Sequence, residues 1–117
     1  MKQVIYGKCP SKSNCYKIVK FKDRAGLAKT QALKSYEQSF ILQCNKYRDK
    51  NIEGLFEFVV DVFYPSNRAD LDNALKIILD CLQTVKAIKN DNKCIRIEAN
   101  KFVDKINPRI EFEIKEI

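Results

Sequence analysis

One segment in the middle of the chain constrains the fold more than any other. Residues 55–64 read Leu-Phe-Glu-Phe-Val-Val-Asp-Val-Phe-Tyr, and Pro65 follows them. The alternation is typical of a β-strand that buries one face. An apolar strand of this length needs neighbouring strands and a covering layer, which the rest of the chain must supply. The residues of the predicted buried face are Phe56, Phe58, Val60, Val62 and Tyr64.

The flanking segments can provide those elements. Helical spacing of apolar residues predicts one helix from a cap at Thr30 to about Arg48, and a second from Leu71 to Ile88. Shorter runs predict strands at 4–6, 15–21, 94–102 and 109–117, whereas residues 22–28 look like a basic loop. The second helix is expected to turn inward Leu71, Leu75, Ile78, Leu82 and Val85.

This order of elements, β(β)αβαββ, predicts an α+β fold in which a mixed or antiparallel sheet is backed by two helices. The chain has 117 residues and no repeats or Pro/Gly-rich linkers, so we expect a single domain over residues 1–117. No apolar run is long enough to span a membrane, and no signal-peptide core follows Met1. We therefore expect a cytoplasmic protein without a membrane partner.

The absence of histidine excludes several kinds of chemistry. Ser-His and Cys-His nucleophilic schemes cannot operate in a chain with no histidine. Five cysteines form an odd number with no Cys-x-x-Cys pair, which argues against a disulfide framework and against a zinc site. Any catalysis must use carboxylates, lysine, tyrosine, cysteine or a metal ion held by oxygen atoms.

Charge is distributed unevenly along the chain. Residues 1–50 hold 12 basic and three acidic residues, a net charge of +9, while residues 51–117 hold 10 basic and 12 acidic residues, a net charge of −2. A DNA-cleaving metalloenzyme needs cations that hold phosphates and carboxylates that hold metal. A basic, solvated surface without a binding function explains the charge equally well.

The most informative stretch is Arg-Ala-Asp-Leu-Asp-Asn-Ala-Leu-Lys at residues 68–76, where the long strand passes into the second helix. Asp70 and Asp72 point to the same side if the helix begins at or just after Asp70, and Lys76 lies one turn beyond Asp72. Converging carboxylates repel unless a cation binds between them, and oxygen ligands with room for water suit Mg²⁺ or Mn²⁺. Asp91, in the turn after the helix, is the third candidate ligand. We expect it beside the end of the long strand that precedes the helix.

Each of these residues also has a purely structural explanation. Asp70 fits the N-cap of a helix. Asp72 and Lys76 fit an ordinary i,i+4 pair, which Asp80 could extend along the surface. The Asn-Asp-Asn sequence around Asp91 is normal turn chemistry. The spacing alone leaves both explanations open.

The same residues carry a resemblance to a known family. The run Arg68-x-Asp70-Leu71-Asp72-Asn73-x-x-Lys76, followed by a helix, a turn with Asp91 and a strand, resembles the RusA family of Holliday-junction resolvases. The segment Pro10-Ser11-x-x-Asn14 with Tyr16 resembles the N-terminal segment of that family. One departure is Asn92, because the family usually has a second aspartate there.

The resemblance implies a homodimer that binds four-way DNA junctions and makes paired symmetric nicks with Mg²⁺. Such proteins are bacterial, and are often encoded by prophages or phages. The resemblance also implies that Asp70, Asp72 and Asp91 are catalytic and hold the metal, and that Lys76 is catalytic. The basic residues are expected to bind DNA phosphates, and the candidates are Lys8, Lys12, Lys17, Lys20, Lys22, Arg24, Lys29 and Arg68.

Three alternatives to a junction resolvase remain open. The first is a module that binds junctions or other nucleic acid without catalysis, and the second is a flap or single-strand nuclease that uses the same residues. The third is a small structural protein in which Asp70 is only a cap. For a homodimer, the mixed face of the long strand is a candidate interface, because Val59 and Phe63 lie there beside Glu57 and Asp61.

Overall fold

A computed structural model describes residues 1–11 and 14–117 of the chain. A short 3₁₀ helix spans Asp91–Lys93. The α+β class is confirmed, with one strand more than the sequence predicts. The strands and helices of the described residues are β1 (Gln3–Tyr6), β2 (Tyr16–Phe21), β3 (Arg24–Lys29), α1 (Gln31–Gln43), β4 (Phe56–Tyr64), α2 (Leu71–Thr84), β5 (Cys94–Val103) and β6 (Arg109–Glu116).

Four of the strands form a mixed sheet in the order β1-β6-β4-β5. The central strand β4 pairs antiparallel with β6 and parallel with β5. Its predicted buried face is confirmed, since every second residue from Phe56 to Tyr64 is buried. Both helices lie on this face, where Phe40 of α1 stacks on Phe112 of β6 with ring centroids 6.0 Å apart. The opposite face of the sheet carries no helix among the described residues.

Helix α1 ends earlier than its apolar spacing predicts. The spacing predicts a helix to about Arg48, but the last helical residue is Gln43. The guanidinium of Arg48 folds back and donates hydrogen bonds to the carbonyl oxygens of Ile41 and Cys44, the latter at 3.2 Å. Because these carbonyls are satisfied by a side chain, the backbone can leave the helix there.

Helix α2 also ends early, at Thr84 rather than Ile88. Lys86 adopts a left-handed conformation with φ of 60°. The N–H of Ala87 then donates to the carbonyl of Leu82 at 2.9 Å, and the N–H of Lys86 donates to the carbonyl of Gln83 at 3.1 Å. This pair of bonds is a Schellman motif, which terminates a helix. Neither helix is long and apolar enough to cross a membrane, as far as the described residues go.

The buried face of α2 is rotated from the one that the sequence predicts. Ile78, Leu82 and Val85 are buried as expected, but Leu71 and Leu75 are only partly buried. Ala74 and Cys81 occupy the inward positions in their place. Two adjacent apolar stripes run along this helix, and small side chains on one of them allow closer packing against the sheet. The partly exposed stripe consists of Leu71, Leu75 and Leu79.

The expectation of a basic loop at residues 22–28 is wrong. Strand β3 pairs antiparallel with β2 to form a separate two-stranded sheet, in which Ile18 lies opposite Leu27. Lys22, with φ of 50°, and Asp23 form the two-residue turn. Ile18 and Leu27 are about three-quarters exposed, at 75% and 74%. The hairpin therefore projects from the body of the protein and lacks the one-sided burial that makes a strand visible in a sequence.

Candidate active site

The start of α2 gives Asp70 a specific position. Asp70 is the N-cap residue, with extended backbone (φ −90°, ψ 133°), and the helix begins at Leu71. The condition for Asp70 and Asp72 to point to the same side is therefore met. The side chain of Asp70 makes no capping hydrogen bond. Its carboxylate is exposed and is not used to complete the helix, contrary to the purely structural explanation.

Asp72 lies in the first turn of α2 beside Asp70. One of its oxygens, Oδ1, accepts a hydrogen bond from the N–H of Asn73 at 2.9 Å. Burial raises the pKa of the Tyr64 hydroxyl, and the nearby negative charges of Asp70 and Asp72 raise it further. Both carboxylates are exposed, so water can reach their oxygens.

Three hydrogen bonds fix the helix start beneath these carboxylates. The Tyr64 hydroxyl donates to the carbonyl of Asp70 at 3.2 Å, and Nζ of Lys101 donates to the carbonyl of Ala69 at 3.1 Å. Nδ2 of Asn73 donates to the carbonyl of Pro10 at 2.9 Å. The sequence predicts that Tyr64 is buried but predicts no role at the site for Tyr64 or Lys101, because a single tyrosine or lysine on a strand carries no spacing signal.

Lys76 follows one turn later and is exposed. The structural explanation predicts an ion pair between Lys76 and Asp72 that Asp80 extends. Within residues 1–11 and 14–117, no salt bridge joins Lys76 to either aspartate. The ammonium group is therefore available to a ligand at the start of α2.

Asp91 lies at the other end of α2, where the expectation from the sequence is wrong for a single chain. Its N–H donates to Oε1 of Gln83 at 2.8 Å, near the C-terminus of the helix. Strand β5 follows and pairs Cys94 with Phe56, the first residue of β4. Because β4 and β5 are parallel, Asp91 lies near the start of β4, whereas Asp70 follows its end.

The length of α2 gives the scale of this separation. Its 14 residues span about 20 Å at 1.5 Å per residue. In the described part of the chain, no three histidine, cysteine, aspartate or glutamate side chains are grouped so that they could hold a metal ion together. One chain thus presents two carboxylates at one end of α2 and the third at the other.

The basic residues are concentrated on the hairpin of β2 and β3, which starts beside the carboxylates. The carbonyl of Cys15, just before β2, accepts from the N–H of Thr30, just after β3, at 2.9 Å. The Asn73–Pro10 bond connects the preceding loop to α2. The exposed candidates are Lys8 after β1, Lys17, Lys20, Lys22 and Arg24 on the hairpin, and Arg68 before α2.

Two predicted DNA-binding residues need separate comment. Lys29 forms a salt bridge with Glu37 of α1 at 2.9 Å, and this hydrogen bond raises its pKa. An exposed pair of this kind contributes little stability, so phosphate can compete for the ammonium. Lys12 lies outside the described residues.

A comparison with protein families decides the class of protein. The family model for endodeoxyribonuclease RusA matches residues 10–115, nearly the whole chain. The chain belongs to the RusA family. A RusA nuclease is an endodeoxyribonuclease that resolves Holliday junctions, and RusA nucleases in general depend on divalent metal ions. No curated protein matches this sequence.

The RusA match covers every element that the site uses. It begins at Pro10, whose carbonyl holds Asn73, and it includes the hairpin, both ends of α2 and all of β5. The oxygen ligands of Asp70 and Asp72 are of the type that hard divalent cations prefer. The start of α2 is therefore the candidate active site of this RusA nuclease.

Proposed function

We propose that the protein is a Mg²⁺-dependent nuclease that resolves four-way DNA junctions by paired symmetric nicks, as a homodimer. The observation that carries this proposal is the unused carboxylate of Asp70 beside Asp72 at the start of α2. An acidic helix start that served only stability would use Asp70 as a cap.

The donor set fits Mg²⁺, with Mn²⁺ as a substitute. Asp70 and Asp72 offer exposed oxygens, and Mg²⁺ is commonly bound by one or two carboxylates while it keeps several waters. A bound Mg²⁺ supplies a water of lowered pKa and neutralises charge on the scissile phosphate. Asp70 and Asp72 would hold this ion, and the bonds from Tyr64 and Lys101 keep the helix start in place.

Lys76 has a separate role in this proposal. Its ammonium lies one helical turn from Asp72 and forms no ion pair among the described residues, and it stabilises the negative charge that develops on the phosphate oxygens. The hairpin holds the DNA backbone through Lys17, Lys20, Lys22 and Arg24. Cleavage and phosphate binding thus depend on different residues and can be separated by mutation.

Asp91 joins the site by symmetry. Two copies whose α2 helices lie antiparallel about a twofold axis place the partner's Asp91 near Asp70 and Asp72, and the reverse holds at the second site. The dimer then has two complete sites related by a twofold axis. The two junction strands that are cut are related by the same symmetry. Paired nicks follow from this arrangement.

The decisive experiment is cleavage of a labelled four-way junction with the cuts mapped on each strand. We expect cuts at symmetric positions with Mg²⁺ or Mn²⁺, binding without efficient cleavage in Ca²⁺, whose looser coordination positions water poorly, and no cleavage in EDTA. Asp70→Asn should keep junction affinity and the unfolding midpoint but lose cleavage by orders of magnitude. Thr30→Ala, which removes a genuine helix cap that accepts from the N–H of Leu33, is the control that should lower stability but keep cleavage.

Other outcomes would change the assignment. Full cleavage in EDTA would rule out the metal mechanism. A loss of stability in Asp70→Asn with cleavage intact would return Asp70 to the role of a cap. Equal cleavage of a flap or single-stranded substrate would favour a broader nuclease with the same site.

A further inference from the structure

The two edges of the sheet differ in a way that points to a partner. At one edge, β1 is only four residues long, and the side chain of Gln43 accepts from the N–H of Tyr6 at 2.8 Å and donates to its carbonyl at 2.9 Å. Lys46 donates to the carbonyl of Lys2 at 2.8 Å. Side chains thus block this edge, as natural sheets commonly require.

The other edge is formed by β5, which has ten residues. Among the described residues β5 pairs only with β4, so its outer row of backbone N–H and C=O groups has no strand beside it. No proline interrupts the strand. A long edge of this kind readily pairs with another strand.

Exposed apolar side chains accompany this edge on the helix side of the sheet. Ile97 and Val103 are 44% and 51% exposed, and they pair in register with the buried Phe58 and Tyr64, which places them on that side. Asn73 bonds to the carbonyl of Pro10, so its flank of α2 faces the loop after β1. Leu75 lies about 200° further around the helix. We therefore place the stripe of Leu71, Leu75 and Leu79 on the opposite flank, which faces β5. The outer edge of β5 and the leucine stripe of α2 thus form one apolar surface next to Asp72.

The mixed face of β4, by contrast, already covers its own apolar groups. The guanidinium carbon of Arg109 lies 3.8 Å from the ring centroid of Phe63, and the ring of Phe102 stacks on the same side chain at 5.0 Å. Glu57 pairs with Arg96 at 3.6 Å. On this face, the sequence's candidate interface, Val59 and Phe63 are only partly exposed, whereas Ile97 and Val103 at the β5 edge are exposed.

We propose that β5 pairs antiparallel with β5 of a second copy, about a twofold axis that passes near Ala99. The sheets of the two copies then form one continuous sheet, and the Leu71, Leu75 and Leu79 stripes face each other across the axis. This inference rests on the proposed function, because a second copy completes the site. The Cys94 end of one β5 meets the Val103 end of the other, which brings the partner's Asp91 toward Asp70.

Charge removes some of the possible registers. With Ala99 on the axis, Arg96 lies opposite the partner's Phe102, Ile97 lies opposite the partner's Lys101 and Glu98 lies opposite the partner's Asn100, so no like charges meet. A shift that places Glu98 on the axis would oppose two carboxylates, which destabilises an antiparallel pair.

A residue on a twofold axis meets its own copy, which gives a direct test. In a Cys94→Ser background we would introduce Ala99→Cys, oxidise mildly and look for a covalent dimer. Opposed residues in an antiparallel pair have Cβ atoms about 4.5–5.5 Å apart, close to the distance a disulfide requires. The remaining native cysteines, Cys9, Cys15, Cys44 and Cys81, are buried. Val59→Cys, on the opposite face, is the matched control.

We expect a covalent dimer from Ala99→Cys and none from Val59→Cys, and Ile97→Arg should sediment as a monomer with an unchanged circular dichroism spectrum. If the wild type sediments as a dimer but Ala99→Cys does not cross-link, or Val59→Cys does instead, the interface is elsewhere while the proposed function stands. A wild-type monomer that cleaves junctions symmetrically would overturn both the interface and the two-copy site.

Discussion

The separation of Asp70 and Asp91 by the full length of α2 predicts that two inactive variants should restore each other. In the proposed dimer, Asp70→Asn damages the site at its own helix start, whereas Asp91→Asn damages the site on its partner. Each variant alone forms homodimers with two damaged sites. In a mixed dimer, one site contains both substitutions and the other site contains neither. Equal amounts that exchange freely yield about half mixed dimers, and therefore about a quarter of the wild-type number of intact sites.

The assay is cleavage of a supercoiled plasmid that extrudes a cruciform. Mixed dimers should produce nicked circles, because one intact site cuts one strand, whereas the wild type should produce linear plasmid. A mixture of Asp70→Asn with Asp72→Asn is the matched control: both substitutions affect the same end of α2, so no intact site can form. If differently tagged subunits exchange but the first mixture stays as inactive as its parents, the partner does not supply Asp91.

Asn73→Ala should lower the free energy of unfolding in urea by about 1–2 kcal/mol, because it removes the side-chain donor to the partly buried carbonyl of Pro10; an unchanged midpoint would contradict this. Replacing Lys20 and Lys22 with Gln should flatten the dependence of log affinity on log salt by about 1–2 units of slope, and an unchanged slope would place the phosphate contacts elsewhere. The hydrogen bond from Arg109 lowers the pKa of Glu111, so this bond stabilises the fold above about pH 4.3, the ordinary value for glutamate, and is lost as the pH falls further. Acid titration of Arg109→Gln, followed by circular dichroism, should therefore show a smaller loss of stability between about pH 5 and pH 3 than the wild type.

The parts of the fold that the sequence predicts are those with one-sided burial. The alternation from Phe56 to Tyr64 identifies the central strand and its buried face because a period of two has only one regular explanation there. The hairpin from Tyr16 to Lys29 is exposed on both faces, so no periodicity marks its second strand. The helix ends depend on Arg48 and Lys86, whose capping contacts are particular events that no pattern of apolar residues reveals.

The position of Asp91 was within reach of sequence reasoning. A strand, a helix and a strand that join the same sheet normally form a parallel crossover, in which the helix returns the chain to the end where the first strand began. That rule places Asp91 far from Asp70 once both strands are assigned to one sheet. The alignment of the motif, by contrast, could show only that the residues occur in the right order, since their distances depend on strand direction.

The Schellman motif at Lys86 fixes the length of α2, and this length sets the distance between the two sites of the proposed dimer. In the proposed dimer, the distance between the two reaction centres equals the distance within one chain from Asp72, in the first turn of α2, to Asp91, which lies beyond its last turn. Substitutions on the helix surface leave that length unchanged. Insertion of a single residue would lengthen the helix by about 1.5 Å and rotate everything beyond it by about 100°. The spacing of the two cuts would then be fixed by the number of residues in α2, and natural variation in this helix should proceed by exchange of residues and not by gain or loss of them.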